Sequence, residues 1–251
     1  MHTSAQISPP EPYNQRFYRS WVREDLERFQ VTLGQSDLLI LCDRQLKGTA
    51  RGALRRVRRR IERQIERDPR FATALEPYPV DAGAPAVVRG MARAAARWQV
   101  GPMAAVAGAV AGAVGRHLLR HARTVIVENG GDIFARAPRR LVFRLYAGAD
   151  SPFSDRLGFE VDARQGIGVC TSSGVVGPSL SFGRADAVVA IADDPAEADA
   201  AATALANRIR APEDVGRVVA RERRHGVLKG LVACAGDRIG CFGELELRRV
   251  R

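Results

Sequence analysis

From Ala185 to Ala192 the chain is apolar at every position but Asp186. A run of this kind, without alternation, is the pattern of a strand buried on both faces. It leads into a strongly marked helix start: Asp194 as N-cap, Pro195 at the first helical position and Glu197 at capping-box spacing. Ala198, Ala202, Leu205 and Ile209 then form an apolar stripe at helical spacing. Upstream, Thr124–Glu128, Leu141–Tyr146, Arg156–Val161 and Gly168–Thr171 read as strands with few helices between them, which favours antiparallel pairing. Further strands are expected near Arg16–Val22, Arg28–Thr32, Leu38–Cys42, Leu228–Ala235, Arg238–Phe242 and Leu245–Arg249. Helices are expected over Ala86–Gln99 and from Pro102 to about His121, with Pro102 at the first helical position. The expected fold class is α/β of the α+β kind, with mainly antiparallel sheets and packed helices.

A chain of 251 residues with 46% hydrophobic content can bury a full core. We expect a flexible tail over 1–15, then a single domain over 16–251 built as two closely joined lobes. Cys42, Cys170, Cys234 and Cys241 form no C-x-x-C pair and sit in or beside strand-like runs, so they read as buried free thiols. The N-terminus lacks the basic start and apolar core of a signal peptide. The run Val100–Val114 is shorter than the roughly 20 residues of a membrane span. These features point to a cytoplasmic protein with no membrane partner.

The formal charge of +11 comes almost wholly from arginine, with lysine only at Lys47 and Lys229. Much of the excess lies between Arg44 and Arg70, around a helical stripe of Leu54, Val57, Ile61 and Ile65. A solvated amphipathic helix is the plainer reading. Nucleic-acid binding through this helix is the sharper one, but no aromatic interleaving accompanies it. In the glycine-rich helix, Ala104, Gly108, Gly112 and Gly115 share one face. That face suits tight packing against the sheet; if exposed, it would equally serve a ligand or a homodimer.

The chemistry gathers between Glu128 and Thr203. Asn129-Gly130-Gly131 makes a turn that permits positive φ, and Asp132 follows it. Thr171, Ser172, Ser173 and Gly174 form a loop rich in hydroxyls and amides, which Ser179 extends. Arg184 could meet a phosphate or pair with Asp186. Asp199 and Thr203 stand four residues apart, so a carboxylate and a hydroxyl project from one face of the capped helix, an oxygen pair suited to Mg²⁺.

Val127-Glu-Asn-Gly-Gly-Asp-Ile133, Thr171-Ser-Ser-Gly174, Gly183-Arg-Ala-Asp-Ala187 and Ala198-Asp-Ala-Ala-Ala-Thr203, with Gly101-Pro-Met-Ala-Ala-Val-Ala107 upstream, resemble the ApbE-like superfamily. The resemblance runs from about Arg16 to Leu247 and is closest to a branch of shorter, cytoplasmic members. It implies an α/β fold with antiparallel sheets, and transfer of FMN from FAD to a threonine or serine of an acceptor protein, with Mg²⁺ at the pyrophosphate. It further implies that Gly130, Gly131, Asp132 and the Thr171–Gly174 motif approach the flavin nucleotide. Asp199, Thr203 and the carbonyl of Ala104 would hold the metal. Two positions depart from the transferases: Ala105 stands where they carry lysine, and the loop Gly177-Pro178-Ser179-Leu180 lacks their histidine. A missing general base removes a contribution on the order of 10²–10⁴-fold. The departures favour, as an alternative, a module of the same fold that binds ligand without turnover.

Overall fold

The computed structural model describes residues 26–154, 156–174 and 183–250. The expected tail over 1–15, the strand Arg16–Val22 and the loop Gly177–Leu180 with Ser179 lie outside these residues.

The backbone of the fold is an eight-stranded sheet in the order β1-β2-β3-β4-β7-β8-β9-β10. Its strands are β1 Glu27–Leu33, β2 Ser36–Cys42, β3 Val125–Asn129, β4 Asp132–Arg136, β7 Ile167–Ser172, β8 Ala187–Ala192, β9 Gly230–Ala235 and β10 Arg238–Gly243. A second sheet of three strands joins β11 Leu245–Arg249, β6 Leu157–Asp162 and β5 Arg140–Arg144. Every pairing is antiparallel, as the scarcity of helices between the strands implied.

The alternation of strand residues divides the interior in two. Val188, Ala190 and Ala192 of β8 point into a core shared with the helices. Ala187, Val189 and Ile191 point the other way, into a core closed by Phe159 and Val161 of the small sheet. The apolar run at β8 is therefore covered on both sides, and all six of its residues are buried. The outer face of the small sheet is charged: Glu160 meets Arg140 at 3.5 Å and also pairs with Arg248.

The helical layer contains α1 Lys47–Arg67, a short α2 Arg70–Thr73, α3 Ala86–Trp98, α4 Val106–Leu118, α5 Pro195–Arg208 and α6 Asp214–His225. In α1 the buried Leu54, Val57 and Ile61 follow the expected stripe. Pro102 opens a 3-10 turn, Pro102–Ala105, rather than the helix proper, which begins at Val106. Three elements were not expected from sequence: the single-turn α2, β4 and α6. The small face of the glycine-rich helix is packed rather than exposed. Gly108, Gly112 and Gly115 are buried, and α4 spends its small face on α5 and on Phe134 of β4. Among the described residues no single helix is long and apolar enough to cross a membrane.

Candidate functional site

The β3–β4 hairpin closes through Gly130 and Gly131, both at positive φ (71° and 100°). A two-residue loop of that geometry matches the right-handed twist of the strands it joins. A Cβ on Gly131 would meet nothing within 4 Å, so this turn borders open space. Glu128 accepts from the Gly131 amide at 2.8 Å. Asp132 comes next and is buried, and the Thr171 amide donates to its Oδ1 at 3.3 Å.

Pairing of β4 with β7 sets Asp132 beside Cys170 on the helical face of the sheet. The helix α5 lies over the same spot. Asp194 caps it by accepting from the Ala196 amide, as its sequence implied. The helix is alanine-rich and buried nearly all round, so its neighbours approach its backbone closely. A Cβ on Gly168 of β7 would lie 2.4 Å from Pro195 Cα, and one on Gly108 of α4 would lie 2.2 Å from the Pro195 carbonyl oxygen. Glycine on both flanks thus seats the first turn of α5, and with it Asp199, against the sheet.

Asp199 then does something its spacing did not announce. Its Oδ2 accepts from the Gly108 amide at 2.8 Å, and the Ala107 amide also donates to the carboxylate. These are among the first N–H groups of α4, which have no intrahelical partner. Ala105, the residue at the helix's own N-cap, offers no side-chain cap. Asp199 therefore caps α4 across the tertiary contact, with its charge at the positive end of the helix. Asn129 completes the junction by donating from Nδ2 to the Ala107 carbonyl at 3.1 Å. Sequence reasoning missed this role of Asn129. Its one signal was an amide side chain on a strand end immediately before the turn.

The electrostatics follow from burial. Asp199 is pushed up to about 7, because desolvation outweighs the two amide hydrogen bonds. Asp132 is held well above the usual carboxylate range by burial first and then by the charge of Asp199. Burial, followed by these two carboxylates, also raises the Cys170 thiol, so Cys170 is an inert buried sulfur rather than a nucleophile. No basic side chain among the described residues pairs with either carboxylate.

The other candidates divide by position. Thr203 lies one turn beyond Asp199 on α5 and is half-buried, as is Ala104 in the 3-10 turn packed against that helix. Strand alternation puts Ser172 on the Cys170 face and Thr171 on the opposite face, with Val169. Gly174 donates to the Ala185 carbonyl at 2.9 Å. The side chain of Arg184 is exposed, and Asp186 instead accepts from the Gly236 amide at 2.9 Å. Among the described residues no group of three or more His, Cys, Asp or Glu side chains could hold a metal ion. The donors are hard oxygens, and two buried carboxylates without a cationic partner fit a divalent ion that also takes oxygens from a hydroxyl, a carbonyl and a ligand.

A family model described as AbpE bacteria matches residues 19–226. A UPF0280 protein of Methanocella arvoryzae is 44% identical over 180 residues, covering 71% of this chain and 73% of that protein. One from Methanopyrus kandleri is 39% identical over 221 residues, covering 85% and 89%. Among solved structures, the apo form of the Pseudomonas stutzeri flavinyl transferase ApbE superposes with a TM-score of 0.56 at 16% identity, over 86% of this chain and 94% of that one. The Vibrio cholerae flavin transferase ApbE does so with a TM-score of 0.55 at 12% identity, over 90% and 97%. At these identities the likeness to the two transferases is one of fold.

Proposed function

The chain belongs to the AbpE bacteria family, within the ApbE-like superfamily, and on that premise we propose that it binds a flavin dinucleotide or a related nucleotide together with Mg²⁺. The observation that carries this reading is the buried pair Asp132 and Asp199, which has no basic partner among the described residues and lies beside a glycine turn bordering open space. Asp199, Thr203 and the Ala104 carbonyl would hold Mg²⁺, with Asp132 alongside; the ion would neutralise pyrophosphate charge. The Gly130-Gly131 turn, with Ser172 and Ser173, supplies the chain's own groups for the nucleotide; Thr171 and Gly174 complete the set taken from the family motif, and Ser179 and Arg184 add a hydroxyl and a cation for phosphate. The four free cysteines suit a reducing, cytoplasmic setting.

Titration with FAD under anaerobic conditions, with and without Mg²⁺, tests the reading. We expect Mg²⁺-dependent quenching of flavin fluorescence that Asp199→Ala abolishes. Unchanged fluorescence at millimolar Mg²⁺ would sink it.

Binding without turnover is the second reading, and one observation favours it. Ala105 is fully buried where the transferases have lysine, while His117 contacts Arg56 and His225 contacts Glu222. None of these groups offers a base to an acceptor hydroxyl beside Asp132 and Asp199. Covalent flavin labelling of a threonine-bearing acceptor, dependent on Asp199, would decide for the transferase.

A further inference from the structure

The outward face of α1 is predominantly basic, with Glu62 and Glu66 as its exposed acids. Arg51, Arg55, Arg59, Arg60, Arg63 and Arg67 are all exposed, and none of them forms an ion pair with a described residue. Only Arg58 finds an acid, Glu62, at 2.7 Å. Five of the six recur at every fourth position, so they form one ridge that winds along the helix, about 6 Å per step. Like charges at this spacing repel and weaken a helix, so the ridge contributes nothing to folding.

The basic surface continues past α1. Arg56 Nη2 lies 2.9 Å from His117 Nε2 at the end of α4. Burial, then the charges of Arg56, Arg120 and His121, holds that imidazole below its usual value. On the other side, α1 and the edge strand β1 enclose two shallow hollows. One is lined by Gln30, Thr32, Lys47 and Arg51, the other by Gly34, Arg55 and Arg59 among others.

The chemistry of this face selects its partner. Its exposed positions carry charged groups with no aromatic or aliphatic anchor, whereas protein interfaces rest on such anchors. A helix that enters a membrane surface needs an apolar face turned outward, and the apolar stripe of α1 is spent on the core. Single-stranded nucleic acid is held by stacking on aromatic rings, and α1 carries none. A duplex backbone asks only for spaced cations, and arginine forks meet phosphate oxygens in pairs.

We propose that the outer face of α1, extended by the end of α4, docks the phosphate backbone of a nucleic-acid duplex without reading its sequence. The test is fluorescence anisotropy of the full-length protein with labelled DNA and RNA duplexes of unrelated sequence. With about four phosphates neutralised, affinity should fall on the order of 100-fold between about 50 and 200 mM salt, alike for every sequence. Glutamine at Arg51, Arg55, Arg59 and Arg63 preserves helix propensity; with an unchanged circular dichroism spectrum, that variant should lose at least about tenfold in affinity and flatten the salt slope. Glutamine at Arg221 and Arg224 on α6 removes charge elsewhere and should leave binding within a few fold. The proposal is overturned by absence of binding at low salt or by equal loss in both variants. Tighter binding to polyglutamate or to phosphatidylserine vesicles would overturn it too, by assigning the face to an acidic protein or a membrane. FAD binding by the same preparation is scored separately, since Asp199 lies outside this surface.

Discussion

At the scale of single residues, Asp199 and Gly108 depend on one another. A methyl group at position 108 would reach within 2.2 Å of the Pro195 carbonyl and 2.9 Å of Asp199 Cβ. Gly108→Ala should therefore part α4 from α5 and cost about 1–3 kcal/mol, as overpacking does; an unchanged urea midpoint would refute the contact. The buried carboxylates also predict a pH dependence. Asp199 moves from an ordinary value of 3.8 up to about 7, and Asp132 is raised as well. The folded state thus holds more protons than the unfolded state between those limits. The stability from this pair is fully present below about pH 4 and is lost as pH rises through about 7. On the proposed reading, in which Mg²⁺ binds the ionised pair, added Mg²⁺ at about pH 8 should restore part of the lost melting temperature. Asp199→Asn should flatten the pH profile and abolish the Mg²⁺ effect, both read by thermal unfolding. The glycine turn and Asp132 are marked in the sequence by the Gly-Gly pair, and Asp199 by the strongly capped helix and the family resemblance rather than by its spacing, which is common on helices. The amide contacts are not, since backbone N–H groups of a distant helix leave no trace in residue identity.

At the scale of elements, legibility followed periodicity. The helix α5 could be read from Asp194-Pro195 and its alanine-rich turns. Asp194→Ala should lower stability by about 1 kcal/mol, a melting shift of about 2–4 °C for a chain of this size; a smaller effect would mean that Pro195 alone sets the helix start. The helix α6 escaped because its inward stripe is Val215, Val218, Val219 and then Glu222. A glutamate at the fourth apolar position breaks the pattern that a sequence reading counts. In the structure that carboxylate is buried and satisfied, with Arg208 at 3.0 Å and His225 at 3.2 Å. The strand β4 escaped for a related reason. Its five residues begin with a buried acid and end with an exposed arginine, leaving only Ile-Phe-Ala as signal.

At the scale of the whole molecule, the strand with helices on one face and the small sheet on the other should be the last to open. Native-state hydrogen exchange should find the amides of β8 most protected and those of the edge strands β1 and β10 less so; fast exchange in β8 would contradict the two-sided cover. The direction of the antiparallel sheets could be read from the order of strands, but their division into eight and three could not, because the long-range pairing of β11 with β6 joins segments far apart in sequence. The cap that Asp199 places on α4 also bears on ancestry. The carboxylate proposed to hold a cation also joins two helices, through the Gly108 and Ala107 amides. A descendant that lost the chemistry would still be selected to keep the aspartate. Its presence in any relative therefore testifies to a shared architecture, and only the groups around it that make no such helix contact can record whether a reaction survives.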